Sequence, residues 1–264
     1  MELPATMRRT VRSILGPSVI RYIRHIGTPR VQDVTKYQMS LSGRHALEIG
    51  GPSDIFAYDG SLPVYPVLGS VDNCLFSSDT IWTGKVDDRF YYDAHRRQGT
   101  QFFCEATDLE PIADASYECV LASHSLEHTT NPLKALKEFQ RVLKPDGLLL
   151  VVLPQKDGTF DWRRPLTPLS HMVCDYTKDV PEDDLTHLPE VLALHDIARD
   201  SAKISFEQFR ERCLRNREFR IMHHHTFDKA SAIALIEFAG FQTLRTEIVK
   251  PYHIIILAQP VTRT

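Results

Sequence analysis

The stretch that decides the fold lies at residues 44–53 and reads RHALEIGGPS. Its first six residues form a short, mostly apolar run, which predicts a buried strand that ends at Ile49. Two glycines and a proline follow, and they predict a sharp turn that leaves bare backbone beyond the strand. Ligands of open α/β sheets bind at this carboxyl edge, so Glu48 at the base of the turn is a candidate ligand contact.

Strand and helix patterns alternate from residue 41 onward, which predicts an α/β fold with a mostly parallel sheet. Further strands are predicted at residues 64–68, 102–106, 118–122, 148–153, 241–249 and 253–258. Amphipathic helices are predicted at residues 133–143, 205–220 and 226–239. The run at 148–153 contains only apolar residues, so we expect both faces of that strand to be covered.

These patterns divide the chain into four regions. Residues 1–40 carry seven basic residues against two acidic ones, with apolar residues at helical spacing, and predict a basic amphipathic helical arm. Packing of the arm on its own domain or on a second subunit is the favoured interpretation, and contact with an anionic membrane surface is the alternative. Residues 41–154 form the predicted core, residues 155–225 a polar cap, and residues 226–260 complete the core.

The composition bounds the partners and the compartment. Lys and Arg number 31 against 34 Asp and Glu, a net charge of -3, which disfavours a dedicated duplex-binding protein. The five cysteines are scattered and form no CxxC pair, so we expect reduced thiols in a cytoplasmic protein. No run approaches the roughly 18 to 20 apolar residues that a membrane span needs.

Four motifs follow one another along the chain. They read LEIGGP at 47–52, DLEPIADASYECV at 108–120, SHSLEH at 123–128 and EFQRVLKPDG at 138–147. In order and spacing they resemble the motifs of class I S-adenosylmethionine-dependent methyltransferases with a methyltransferase type 11-like domain. The resemblance implies a Rossmann-like, doubly wound sheet of seven strands with a reversed terminal hairpin. It also implies a helical insertion after the fifth strand, where this family builds its acceptor pocket.

The same resemblance implies S-adenosylmethionine as the cofactor and assigns residues to it. Residues of the turn would line the methionine and ribose parts: Glu48, Gly50, Gly51, Pro52 and Ser53. Asp72, expected just beyond the second strand, would accept hydrogen bonds from the ribose hydroxyls. Asp108 and Leu109 would flank the adenine, and Ser123 and His124 would lie beneath the sulfonium.

Histidine is the compositional oddity, because six of the 12 histidines lie between residues 171 and 225. Methyl transfer to a hydroxyl needs alignment and a base, and imidazole is the side chain best suited to that proton near neutral pH. We therefore predict O-methylation of a saccharide or another small hydroxyl-bearing acceptor. The candidate bases are His171, His187, His223, His224 and His225. Four aromatic residues are candidate walls for a sugar or aromatic ring: Trp82, Phe160, Trp162 and Tyr176.

Acidic residues among these histidines leave a metal site open. Glu182, Asp183 and Asp184, with His187 and His195, are candidate ligands for a divalent ion such as Mg²⁺ or Mn²⁺, although neither an H-E-x-x-H nor an EF-hand spacing is present. Purely structural histidines are the third interpretation. The alternative functions are a metal-dependent hydrolase that uses this cluster and a non-catalytic binding module that retains the fold.

Overall fold

The computed structural model describes residues 29–93 and 97–261. Its strands are β1 (His45–Ile49), β2 (Ser70–Leu75), β3 (Asp79–Thr80), β4 (Gly84–Lys85), β5 (Arg89–Tyr91), β6 (Gln98–Phe103), β7 (Tyr117–Ser123), β8 (Leu143–Pro154), β9 (Phe241–Val249) and β10 (His253–Pro260). All except the small β3–β4 pair join one sheet, in the order β5-β6-β2-β1-β7-β8-β10-β9.

The sheet confirms the predicted α/β architecture. Strands β6, β2, β1, β7 and β8 run parallel, and β10 pairs antiparallel with both β8 and β9, which is the predicted reversed hairpin. The sheet has eight strands among the described residues and not the predicted seven, because β5 adds an antiparallel edge to β6.

Helices cover both faces of the sheet. They are α1 (Val34–Leu41), α2 (Pro132–Val142), α3 (Leu169–Thr177), α4 (Leu188–Leu194), α5 (Phe206–Leu214), α6 (Asn216–Phe219) and α7 (Lys229–Phe238), with short 3-10 helices at Asp54–Phe56, Leu126–His128 and Lys156–Gly158. One apolar cluster joins α2, α3 and α7 to the sheet, and a second joins α1 to its other face. The apolar centre of β8 is therefore buried on both sides, as predicted.

Three predicted elements are displaced. The second strand is Ser70–Leu75 and not 64–68; residues Val64, Tyr65 and Leu68 are buried, but in a loop that packs on the core. The third strand ends at Phe103, before the predicted end at residue 106. The single helix predicted at 205–220 is two helices, α5 and α6, that meet at Arg215.

The predicted arm lies mostly outside the described residues, and so do its predicted membrane contact and self-association. The described end of the arm packs on the core, where Val31, Tyr37 and Leu41 are buried. Within residues 29–93 and 97–261, no helix has the length and apolar character that crossing a bilayer requires.

The cap follows β8 and holds a small apolar core of its own. Its fully buried residues are Val191, Phe209, Cys213 and Met222. Backbone and hydroxyl hydrogen bonds between Thr167 and Thr226 join the start of the cap to the segment that precedes α7. The cap is thus attached beside the carboxyl ends of β7 and β8.

Candidate active site

The turn after β1 is shaped by two glycines at the carboxyl edge of the sheet. Gly50 has a φ of 83°, a left-handed conformation that glycine adopts without strain. A Cβ atom at Gly51 would lie 2.2 Å from Oε2 of Glu48, so a larger residue there would displace this buried carboxyl group. Gly50 also approaches the segment after β7, since a Cβ there would lie 3.3 Å from Cβ of Ser125. The first and third sequence motifs therefore meet at one place.

An asparagine of the neighbouring strand holds this turn. The buried side chain of Asn73 accepts a hydrogen bond from the Gly51 N–H at 2.9 Å and donates to the Gly51 carbonyl at 3.1 Å. Its amide also donates to Oε1 of Gln101 at 2.9 Å. Sequence reasoning missed Asn73 and Gln101, because neither belongs to a motif. Their contacts fix the backbone that a ligand would approach.

Glu48 is fully buried at the base of the turn. The Tyr65 hydroxyl donates to Oε2 of Glu48 at 2.6 Å and accepts from the Ser53 N–H at 2.7 Å. Oε1 of Glu48 has no hydrogen-bond partner among the described residues. Burial raises the pKa of Glu48 to about 7, although the Tyr65 and Ser53 hydrogen bonds work in the opposite direction. A buried carboxyl oxygen without a partner suits a ligand ammonium group.

Asp72 lies elsewhere than the sequence predicts. It is inside β2 and not beyond the second strand, so that prediction is wrong. Its oxygens accept from the Thr100 N–H at 2.7 Å and from the Tyr117 hydroxyl at 2.8 Å, and Nε2 of His45 lies 3.4 Å away. His45 and Tyr117 begin β1 and β7, so Asp72 faces the amino ends of those strands. This placement disfavours the predicted ribose contact, because the glycine turn is at the opposite edge.

The predicted adenine contacts follow β6. Asp108 is exposed, in a turn closed by its N–H to the Glu105 carbonyl. Leu109 is fully buried in the apolar cluster that includes α2, and its N–H donates to Oε2 of Glu138 at 2.8 Å. Its role beside adenine stays a prediction.

The end of β7 carries a polar network. His124 follows Ser123 with a φ of 50°, and its Nδ1 lies 3.2 Å from Oε1 of Glu127. Its Nε2 lies 2.8 Å from Nδ1 of His253. Burial raises the pKa of Glu127, but His124 and the nearby His128 and His223 outweigh it, so the pKa falls below its ordinary value. Glu127 is therefore held as an anion at this edge.

The predicted base candidates lie in three places: His223 in one cluster, three histidines in a second, and His224 in neither. We define the His223 cluster as Asp161, His223, His128 and Glu127. Nδ1 of His223 lies 2.5 Å from Oδ2 of Asp161, and the rings of His223 and His128 are 4.7 Å apart. His128, His223 and Glu127 each offer a ligand-type atom within 4.8 Å of the others. The cluster joins the cap to the segment after β7.

The ionisable groups of the His223 cluster shift one another's pKa values. Burial opposes the charge on Asp161, but His223 and Arg164 lower its pKa to about 2. Burial also disfavours the imidazolium of His223, yet Asp161 and Glu127 raise its pKa above the ordinary value. Burial and His223 lower the pKa of His128 to about 4, so His128 is neutral near pH 7. His223 is thus oriented and charge-paired, whereas His128 is a neutral neighbour.

Three other candidate histidines meet on the far side of the His223–His225 run. We define the His225 cluster as His171, Asp175, His187 and His225, whose ligand-type atoms all lie within 4.8 Å of one another. The fifth candidate, His224, is buried, and its Nε2 lies 3.1 Å from Nδ2 of Asn216. The structure therefore does not bring the five histidines to one pocket.

The acids predicted as metal ligands do not converge. Glu182 pairs with Arg220, and Asp184 accepts from the Thr186 hydroxyl and N–H. Asp183 lies 3.7 Å from Arg217, and His195 lies 3.1 Å from Asp200. The predicted ligands therefore do not form one site, because these four residues have separate partners and His187 lies with other histidines.

A family model matches about a quarter of the chain. The model described as "Methyltransferase domain" matches residues 86–151, which run from before β5 into β8. The sheet order, the reversed terminal hairpin and the glycine turn are those expected of the class I enzymes that the four motifs resemble. The chain contains a methyltransferase domain over residues 86–151. The family match supports S-adenosylmethionine as the cofactor. At the carboxyl edge of the sheet, Glu48, Ser125 and Glu127 each present a buried oxygen with no hydrogen-bond partner among the described residues.

Known proteins similar to this methyltransferase domain share little of its sequence. A ubiquinone/menaquinone biosynthesis C-methyltransferase from Haemophilus ducreyi is 50% identical over 42 residues, only 16% of each chain. A methyltransferase structure from Aquifex aeolicus is 12% identical, with a TM-score of 0.45 over 96% of this chain and 98% of that one. One from Methanosarcina mazei is 15% identical, with a TM-score of 0.45 over 89% and 100%.

Sequence reasoning missed the carboxylates that organise both histidine clusters. Asp161 lies 62 residues before its partner His223, and no local pattern links them. Asp175 had a usable signal, because His171 and Asp175 are four residues apart on α3 and so share one face of the helix. These two acids of the cap give neighbouring histidines different surroundings.

Proposed function

We propose that the protein transfers the methyl group of S-adenosylmethionine to a hydroxyl of a saccharide or another small acceptor, with His223 as the general base. The observation that carries the proposal is the buried contact of 2.5 Å between Nδ1 of His223 and Asp161. A histidine held by a carboxylate has a fixed tautomer and a free second nitrogen, which is the arrangement of a general base. His223 lies beside His128, close to the end of β7.

Asp161 is itself held firmly. Arg164 is buried and donates to Oδ1 of Asp161 at 3.1 Å and to the His223 carbonyl at 2.8 Å. Asp161 therefore has an oxygen for Arg164 and an oxygen for His223. In the base form of His223, Nδ1–H donates to Asp161 and Nε2 carries the lone pair that receives the acceptor proton.

The cofactor supplies an activated methyl group on a positively charged sulfonium when bound. The chain must orient the reactants and remove one proton, and orientation alone contributes several kcal/mol in such reactions, by order of magnitude. Glu48 has the oxygen to receive the amino group, and Asn73 holds the Gly51 backbone against which the cofactor would lie. Glu127 places an anion next to His124 at the same edge.

Two aromatic rings support a flat, hydroxyl-bearing acceptor. Trp82 is 59% exposed and its ring lies 5.6 Å from that of His128, while Nε1 donates to the Phe219 carbonyl at 3.1 Å. The Phe160 ring lies 4.8 Å from that of His223. Aromatic faces beside a base suit the apolar face of a sugar ring. The other two aromatic residues predicted to line the acceptor pocket lie elsewhere. The indole of Trp162 donates to Asp196, and Tyr176 is exposed on α3.

A labelled-methyl transfer screen tests the proposal. Purified protein is incubated with methyl-labelled S-adenosylmethionine and extracted glycans, glycolipids or small metabolites, and the position of the label is read from the product. We expect a methyl ether, formed by wild type and by a His45→Ala control at the amino edge of the sheet, and lost in His223→Ala. Label on carbon or nitrogen would contradict the proposed O-methylation. Cofactor binding without transfer to any fraction would favour the non-catalytic alternative. A cytoplasmic location, expected from the reduced cysteines, belongs to the same proposal.

A further inference from the structure

The His225 cluster has the dimensions of a coordination sphere. Nε2 of His171 lies 3.1 Å from Nε2 of His187 and 3.4 Å from Oδ2 of Asp175. Nε2 of His225 lies 3.7 Å from the same Asp175 oxygen. Ligands of a tetrahedral ion bound at about 2.0 to 2.1 Å stand about 3.3 Å apart, by simple geometry. The observed separations bracket that value.

The hydrogen bonds of the cluster leave an acceptor unsatisfied. Oδ2 of Asp175 is buried and has no hydrogen-bond partner among the described residues. Nε2 of His171 and Nε2 of His187 face each other, so at most one of them can carry a proton toward the other. Nε2 of His225 donates to the Thr130 carbonyl at 3.2 Å, and its buried Nδ1 has no partner within the described part of the chain. The Asp175 oxygen and at least one lone pair of the facing His171 and His187 nitrogens are thus left without a donor, and a cation would replace the proton on Nε2 of His225.

We infer that His171, Asp175, His187 and His225 bind one transition-metal cation, zinc(II) by the chemistry of the ligands. Three imidazole nitrogens and one carboxylate oxygen are a zinc donor set, whereas Mg²⁺ and Ca²⁺ prefer oxygen ligands. Four protein ligands complete a tetrahedral sphere, which is typical of a structural site. The side chain of His171 is 41% exposed and gives the ion a way in.

The cation would tie three segments of the cap together. His171 and Asp175 lie on α3, His187 immediately precedes α4, and His225 lies in the segment that leads to α7. The cap has only a small apolar core, so a metal that joins these segments would stabilise it substantially. The inference rests on this geometry and not on the proposed methyl transfer.

The alternative metal position is the His223 cluster, where Glu127, His128 and His223 also approach one another. More of its polar atoms already have hydrogen-bond partners, since Nδ1 of His223 contacts Asp161 and Oε1 of Glu127 contacts His124. Nδ1 of His128 lies 3.1 Å from the Met222 carbonyl. This cluster offers three ligands, and its histidine already has an acid partner, so it is the weaker site.

Zinc binding to the full chain tests the inference. Protein treated with chelator and dialysed is titrated with ZnCl₂ by calorimetry, and bound zinc is counted by elemental analysis after a second dialysis. We expect about one zinc per chain, and an unfolding midpoint that rises by several degrees because only the folded state holds the site. Less than about one tenth of a zinc per chain, with an unchanged midpoint, would overturn the inference.

Paired variants locate the ion. Loss of a group that only supports a ligand typically costs about 10- to 100-fold in metal affinity, so His171→Ala and Asp175→Asn should each cost at least that much. The control Asp184→Asn removes an acid of the neighbouring loop that bonds Thr186, and it should leave zinc affinity within about threefold. Equal loss in Asp184→Asn, or loss only in Glu127→Gln, would place the ion elsewhere and contradict the assignment. Binding of S-adenosylmethionine by the same samples shows whether each variant is folded, independently of methyl transfer.

Discussion

His223 and His225 lie two residues apart on one short segment of chain, yet the carboxylates that they meet have different partners. Asp161 has both oxygens occupied, one by His223 and one by Arg164. Asp175 has a buried oxygen that no donor among the described residues satisfies, and imidazoles face it from three positions. The carboxylate of Asp161 orients one histidine for proton transfer, whereas the carboxylate of Asp175 is placed to bind a cation. Identical residue types two positions apart thus acquire different chemistry from the acid that each one meets.

Glu48 extends the comparison to the cofactor edge. Like Asp175 it is a carboxyl group with a buried, unpartnered oxygen, but its neighbour is the Tyr65 hydroxyl and not a histidine. Its pKa is therefore raised by burial, whereas that of Asp161 is lowered by its basic partners. The comparison predicts that removing an acid whose oxygens both have partners lowers the rate of methyl transfer. It also predicts that neutralising an acid with a buried, unpartnered oxygen stabilises the ligand-free protein and weakens ligand binding.

The largest effect is expected from His223→Ala. Loss of the general base should lower kcat by about 100-fold or more and leave the affinity for S-adenosylmethionine within about threefold. The acceptor found in the transfer screen serves for the kinetics, and added imidazole should restore part of the rate. A kcat within about threefold of wild type would remove His223 from the reaction.

Glu48→Gln should change the pH dependence of stability. Because the folded-state pKa of Glu48 is raised from 4.5 to about 7, its contribution to stability is complete below pH 4.5 and is lost as the pH rises through 7. Relative to wild type, the variant should gain about 2 to 3 kcal/mol of unfolding free energy between pH 5 and pH 8, measured by urea denaturation without cofactor. Glu118→Gln, at the amino end of β7, is the control. A gain that does not grow with pH would mean that Glu48 is not buried in this way.

The same Glu48→Gln variant should bind the cofactor less tightly. A hydrogen bond between charged groups contributes about 1.5 to 3 kcal/mol, so affinity for S-adenosylmethionine should fall at least about tenfold by calorimetry. S-adenosylhomocysteine, which keeps the amino group, should lose affinity to the same extent. If either ligand changes by less than about threefold, the amino group is held by another residue.

A smaller effect is expected from Asp161→Asn. Asp161 is a positioning residue that acts through His223, so kcat should fall about tenfold with little change in KM. Imidazole should fail to rescue this variant, because His223 still occupies the place of the base. Asp157→Asn, whose carboxylate is 71% exposed on the cap and pairs with Lys156, should behave as wild type. A change in KM alone would assign Asp161 to acceptor binding.

The core could be predicted from the sequence because its signals are local. The apolar run before Gly50, the amphipathic period of α2 and the unbroken apolar residues of β8 each specify an element without knowledge of the rest. The second strand was misplaced for a physical reason. Val64 and Leu68 are as apolar as strand residues because they are buried in a loop, while β2 carries Asp72 and Asn73 within the sheet.

The candidate site could be predicted only in outline. The glycine turn, Glu48 and the segment after β7 were found because motifs carry them, and the histidines were found because they are numerous. Their division into two clusters depends on Asp161 and Asp175, which the folding of the cap brings to them over 62 and 50 residues of chain, counting from His223 and His225. Such pairing leaves no periodic trace in a single sequence.

The most direct test of the division between the clusters is a zinc titration of protein labelled with ¹⁵N at histidine, followed by NMR with resonances assigned from single variants. The account predicts that one equivalent of zinc shifts the ring nitrogens of His171, His187 and His225 and leaves those of His223 and His128 in place. Shifts of His223 and His128, with the other three unchanged, would contradict it.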